Sequence, residues 1–137
     1  DFFEFLEERD YSLSYKMPFL LAIVKHIDDI GDAKIEEVLD DYIAFYQDRL
    51  SRGLQVDRST CPYDEKMLKD RKAVQRNMLT NPFEKFERKR FLYYSKDLSV
   101  ISMNHALFGQ MKAEDWERVR KQMREDLRKY YDGMGGV

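Results

Sequence analysis

The apolar positions of this chain fall into helix-length stripes separated by polar punctuation, and one late stretch departs from that rhythm. DFFEFLEERD, at the start, reads as a short helix with Phe2, Phe3, Phe5 and Leu6 available to dock. Ser12 or Ser14 is placed to cap a second helix over about 14–29, in which Met17, Leu20, Leu21, Val24 and Ile27 recur at three- and four-residue spacing. Gly31 ends it as a C′ glycine. GDAKI then makes a tight connection with room for a minimal strand at 33–35. A third helix follows over about 35–52. Its apolar stripe is Ile35, Val38, Leu39, Tyr42, Tyr46 and Leu50, its outer face is Glu36, Glu37, Asp40, Asp41 and Asp48, and Gly53 stops it.

LQVDRSTCPY reads as a loop, and Asp64 as the N-cap of a fourth helix over about 64–79. On that helix Met67, Val74 and Met78 share one face, while Lys69, Lys72 and Arg76 share another, with Gln75 beside them. Asn81-Pro82 is a breaker, after which FEKFERKR forms a short helical turn. FLYYSKDLSVISM, residues 91–103, changes period. It is β-branched and aromatic with a polar Ser95-Lys96-Asp97 turn, which predicts a hairpin. A short helix over 103–111 and a last one over 113–131, with Trp116, Val119, Met123, Leu127 and Tyr130 on one side, complete the pattern before a frayed tail, GMGGV.

Helix, short connection, helix, helix, hairpin is the order of a winged helix-turn-helix. The expected fold is therefore mainly α: a winged-helix-like core with one β-hairpin and additional N- and C-terminal helices, as a single domain over 1–137. Composition agrees. The chain has 137 residues, 43% apolar and 36% charged, and only three prolines and six glycines, too few for a barrel or sandwich with many tight turns. Cys61 is the single cysteine, so an intramolecular disulfide and a multi-cysteine zinc site are both excluded, and a reducing, cytoplasmic setting is expected. MPFLLAIV is far too short to span a membrane. The acidic start has no basic signal-peptide region and no initiating Met, which points to a domain cut from a longer protein.

The net charge of −2 conceals an asymmetry. Residues 1–50 carry 5 Lys/Arg against 13 Asp/Glu, whereas residues 66–96 carry 10 against 3. The basic excess falls on the fourth helix, the hairpin and the link between them. In a winged-helix DNA binder those elements enter the major groove and grip phosphates. Double-stranded DNA is thus the expected partner. Lys69, Lys72, Arg76, Arg88, Lys89, Arg90 and Lys96 would make phosphate contacts, and Gln75 would read a base edge, with Asn77 its neighbour in that role. Phe91, Tyr93 and Tyr94 read as hairpin packing rather than base-stacking platforms.

The alternative is a protein-interaction or dimerisation module. It would dock through Glu36, Glu37, Asp40 and Asp41, helped by exposed aromatics of the first helix. A merely solvated charged surface is the plainest reading of both faces. Nothing in the pattern specifies an oligomer.

No catalytic constellation, metal site or cofactor is expected. His26 sits near a helix C-terminus, where a cation is favoured, and His105 at a helix start; neither has a second ligand at metal spacing. The Glu36-Glu37 and Asp40-Asp41 pairs read as a solvated face before a cation site. Pro62-Tyr63-Asp64 with Glu87-Arg88-Lys89 echoes a P-D…E-x-K nuclease pattern, but that chemistry needs strand-end carboxylates, and Asp64 opens a helix.

Ser14-Tyr15-Lys16, the Phe45-Tyr46-x-Asp48-Arg49 stretch and Asn81-Pro82-Phe83, within residues 12–131, resemble the C-terminal accessory segment of bacterial proteins that carry a superfamily II helicase, often with a phospholipase-D-like nuclease. Those proteins belong to restriction or DNA-repair-like systems. The resemblance implies an accessory module beside the domains of a parent helicase or nuclease. The helicase and nuclease motifs are absent here, so those activities do not carry over.

Overall fold

The structure, a computed structural model, describes residues 1–134; residues 135–137, the end of the expected frayed tail, lie outside the described residues. The elements run α1 (Phe2–Glu7), α2 (Lys16–His26), β1 (Asp32–Lys34), α3 (Ile35–Ser51), α4 (Glu65–Lys69), α5 (Arg71–Met78), a π-helical turn (Leu79–Phe83), α6 (Glu84–Arg88), β2 (Leu92–Ser95), β3 (Val100–Met103), α7 (His105–Gln110) and α8 (Ala113–Asp132). The chain is mainly helical with one small antiparallel sheet.

Helix α2 is the centre. It buries Met17, Pro18, Phe19, Leu20, Ala22, Ile23 and Val24, which covers most of its circumference and so requires neighbours on several sides. Helices α3 and α8 supply them. Pro18 is tolerated because it lies in the first turn, where its missing N–H had no partner to lose. The Asp28 carboxylate then accepts from the Ile30 and Asp32 amides at 3.0 and 2.8 Å, and Gly31, at φ +90°, turns the chain into β1. A side chain at Gly31 would meet the Phe108 ring at 3.2 Å as well as the backbone penalty.

The expected hairpin forms, but it is two-thirds of a sheet. Strand β1 adds to β3, giving the order β1-β3-β2, with Ala33 opposite Ile101 and Leu92 opposite Met103. Those four residues point inward and the alternate ones outward. The turn is Lys96–Ser99 rather than Ser95–Asp97, since Ser95 still pairs with Val100.

Two expectations about the fourth helix are corrected. It is not continuous over 64–79. Asp64 does cap α4, accepting from the Met67 amide at 2.8 Å, but Asp70 leaves helical geometry and caps a new helix, accepting from the Ala73 amide at 3.2 Å. A carboxylate that can satisfy free amides favours a fresh N-terminus over a helix interior. Conversely, Asn81-Pro82 does not break the chain. The backbone widens into a π turn that gives the proline ring room and continues into α6. Side chains take up nearby carbonyls: Thr80 donates to Arg76 O at 2.7 Å and Asn81 to Asn77 O at 2.9 Å.

The aromatics of α1 are not exposed, contrary to the docking expectation. Phe2 and Leu6 are buried, Phe2 stacks edge-on against Phe91, and Phe5 against Phe86. A polar clamp holds this helix to α8. Asp126, buried, accepts from Arg9 Nε at 3.0 Å and Tyr11 OH at 2.6 Å, and Gln122 donates to Leu6 O at 2.8 Å. Burial opposes the Asp126 charge, but the bonds from Tyr11, Arg9 and Gln122 outweigh it and hold this carboxyl below its ordinary range.

A second clamp centres on buried Asp57. It accepts from the Ser14 amide at 2.9 Å, the Ser14 hydroxyl at 2.5 Å, Tyr130 OH at 2.5 Å and the Arg58 amide at 2.7 Å, tying the 52–64 loop to α2 and α8. Nearby Tyr131 donates to Val56 O, and burial pushes its phenol up to about 12. Among the described residues no buried side-chain polar atom lacks a partner, and no helix is long and apolar enough to cross a membrane.

Candidate functional site

Helix α5 buries Val74 and Met78 and turns Lys72 and Arg76, one turn apart, to solvent, with Gln75 half-buried beside them. Lys69 does not share that face. The break at Asp70 places it on α4, where it pairs with Glu65 at 3.2 Å. The expected row of three is therefore a pair. Asn77 is turned away from solvent use, since its side-chain oxygen accepts from Tyr63 OH at 2.6 Å.

The link behaves as a joint. Helix α6 ends in a Schellman-type cap in which Phe91 N donates to Phe86 O at 3.0 Å and Arg90 N to Glu87 O at 2.9 Å, with Arg90 at φ +63°. Asn104 pins the same corner, donating from its side chain to Arg90 O at 3.1 Å and from its amide to Phe91 O at 2.8 Å. Arg88 forks onto Glu84 at 2.7 Å. Lys89 and Arg90 are exposed on this corner and Lys96 on the hairpin turn. Among the described residues Lys72, Arg76, Lys89, Arg90 and Lys96 have no ion-pair partner.

Two bonds bring the halves of this surface together. Arg71, the first residue of α5, pairs with Glu36 and Asp40 at 2.9 Å each and donates to Glu36 O at 2.7 Å. At the hairpin tip, Ser99 O accepts from Ile35 N at 3.0 Å. Ile35 and Glu36 open α3, so the start of α5 and the tip of the hairpin are fastened to the same helical turn. Exposed Lys34, without an ion-pair partner among the described residues, precedes that turn.

Arg71 and Lys34 were not legible as site residues. Arg71 is one cation in a run of them, and only the fold shows it facing the acidic helix. Burial disfavours its charge, but bonds to Glu36 and Asp40 more than compensate, so its pKa rises. The tip is ordered by its own chemistry: Leu98 N donates to Ser95 Oγ at 3.2 Å, Ser99 adopts φ +54°, and Leu98 is left 73% exposed.

The acidic helix looks different once its neighbours are in place. Glu36 and Asp40 hold Arg71. Asp41 binds Lys25 at 3.3 Å and also His26, whose other ring nitrogen lies 3.8 Å from Glu37. The four carboxylates of the docking expectation all have cationic or imidazole neighbours within the chain.

The remaining candidates are structural in their contacts. His105 starts α7 behind the Asn104 cap. Cys61 is half-buried, and burial pushes its thiol up, which makes it a poor nucleophile. Asp64 is a cap, and Glu87 lies in helix α6 rather than at a strand end. Among the described residues no group of three or more His, Cys, Asp or Glu side chains is placed to hold a metal. No protein-family model matches the chain, and neither a curated protein nor a solved structure matches it.

Proposed function

We propose that this chain is a winged-helix-like accessory module that binds duplex DNA through α5, the α6–β2 corner and the hairpin turn. The observation that carries the reading is the double attachment to the first turn of α3. It sets Lys72 and Arg76, Lys34 and the hairpin tip with Lys96 around one rigid point, with their charges unanswered. Such a surface meets phosphates without first breaking internal ion pairs. The winged-helix assignment is supported by the element order and by a three-stranded antiparallel sheet, order β1-β3-β2, in which the hairpin pairs with the strand that precedes α3.

In this account Lys72, Arg76, Lys89, Arg90, Lys96 and Lys34 are phosphate contacts, Arg88 joins by leaving Glu84, and Gln75 is the one candidate base reader. Lys69 contributes least. The resemblance noted above gives the setting: a DNA-processing protein whose helicase or nuclease domains are this module's neighbours, in the cytoplasm. Docking through the acidic helix has less support, because Glu36, Glu37, Asp40 and Asp41 are already engaged. At a Debye length of about 8 Å the acidic and basic sides act nearly independently, so the net charge does not argue against DNA.

The test is fluorescence anisotropy of a labelled duplex from about 50 to 200 mM salt. Binding that weakens steeply with salt supports the proposal. A folded chain that does not bind at the lowest salt overturns it.

A further inference from the structure

Helices α3 and α8 both pack on α2, and the strip of α2 between them stays open. Three depressions follow one another along α8, two of them bordered by α2 and the third by α3 alone. One of about 350 Å³ lies beside Trp116, one of about 390 Å³ over Leu21 and Phe45, and one of about 380 Å³ over Leu127 and Tyr131. The first two share Arg120, and the last two share Phe45 and Arg124, so they form one trough along α8. From Trp116 to Tyr131 a helix rises roughly 22 Å, the length of about four helical turns.

The floor is apolar, and the rim on α8 is cationic at four-residue intervals: Arg120, Arg124 and Arg128. The Trp116 section is lined by Asp28 and Asp29, and the other two sections by Asp41 and Asp132. Asp41 pairs with Lys25 and contacts His26, and Asp132 pairs with Arg128 at 3.1 Å. Arg124 has no ion-pair partner among the described residues, and the Arg49 guanidinium lies flat on Tyr131 at 3.5 Å rather than on a carboxylate.

We propose that this trough seats an acidic amphipathic helix of a partner protein. The apolar floor calls for leucine-type anchors at i, i+4 and i+7; Arg120 is paired with Glu117 and Arg128 with Asp132, so it is Arg124, and Arg49 across the trough, that call for Glu or Asp on the flanks of the occupant. None of the trough residues belongs to α5, the α6–β2 corner or the hairpin, so the proposal stands independently of DNA binding.

The experiment uses the full chain, ¹⁵N-labelled, and three synthetic helical peptides of about 16 residues. One has Leu anchors with Glu flanks, one the same anchors with Lys flanks, and one the Glu flanks with Ala anchors. The expected result is that the first binds at least about tenfold tighter than either control. Its amide shifts should fall on α8 and α3 around Arg124 and Phe45, and Arg124→Glu/Arg128→Glu, folded by circular dichroism, should lose at least about tenfold of the affinity. The proposal is overturned if the three peptides bind alike or not at all, if the shifts fall elsewhere, or if charge reversal leaves the affinity unchanged. It is also overturned if the trough amides shift with protein concentration alone, which would make the occupant a second copy of this chain.

Discussion

Helices α3 and α5 carry opposite charge and opposite fates. The carboxylates on α3 are answered inside the molecule, by Arg71 across the helix pair and by Lys25 and His26 from α2. The outward cations of α5 and of the corner beyond it are not answered. In sequence both stretches offered a partner surface, the basic one to DNA as the expected reading and the acidic one to a protein as the alternative. Charge density alone was the wrong measure. What is available to a partner is the charge left over when the fold has paired what it can. Answered charges should therefore carry stability, and unanswered ones binding.

The largest expected effect lies on the unanswered side. Lys72→Glu/Arg76→Glu should weaken duplex affinity on the order of a hundredfold and flatten its salt dependence. Its urea midpoint should stay within the range of a neutral surface change. A comparable loss of stability would mean that these cations have structural partners after all.

Next is a charge answered three times over. Asp126→Asn should cost about 2 kcal/mol by urea denaturation at pH 7 and leave DNA affinity alone. The folded carboxyl is held below its ordinary value, so its contribution is fully present above the unfolded value near pH 4. It is lost as pH falls through the folded value, so the gap between wild type and variant should close in acid. A gap that widens on acidification would reverse the assignment.

Arg71→Met should have a smaller effect. Arg71 is part-exposed, so its pairs with Glu36 and Asp40 contribute less than about 1 kcal/mol. The newly unpaired carboxylates beside α5 should also weaken duplex binding several-fold, which titration at fixed salt would read. Unchanged affinity would mean that the first turn of α3 does not border the binding surface.

The smallest effect concerns the joint. Arg90 occupies a left-handed conformation that glycine adopts freely, so Arg90→Gly should gain about 0.5 kcal/mol in thermal or urea unfolding while losing one phosphate contact's share of the salt slope. A destabilised variant would show that the Arg90 side chain packs rather than waits.

Much of the fold was legible because it depends on local rules. Gly53 stops α3 at positive φ, Asp64 caps where it should, and the apolar stripe of α3 is buried as its period implies, whereas α2 ends at an extended Ile27 and Gly31 turns the chain only later, into β1, instead of capping the helix. Asp70 was misread because an aspartate inside a polar helical run looks like a surface residue until its carboxylate is seen taking the Ala73 amide. Pro82 was misread because the usual outcome of an interior proline is a break, and the wide turn that avoids it depends on Phe83 and Phe86 being drawn into the core. The candidate surface was only half legible. Its cations were countable, but which remained free turned on contacts between residues 35 apart, such as Arg71 with Glu36. The buried cluster around Asp57 left no periodic trace at all, since its members come from a loop and two helix ends.

The order of the sheet has a consequence for timing. Strand β1 finds its partner in β3, and Asp32 and Ser102, bonded side chain to side chain, lie 70 residues apart. At ribosomal speeds of 5–20 residues per second, roughly four to fourteen seconds separate the synthesis of the two. For that interval α2 and α3 exist without the ladder that joins them to the hairpin. The bond from Ile35 to Ser99 lies at the end of the same β1–β3 ladder and needs the same late residues, so the basic surface cannot be complete until the hairpin has been made.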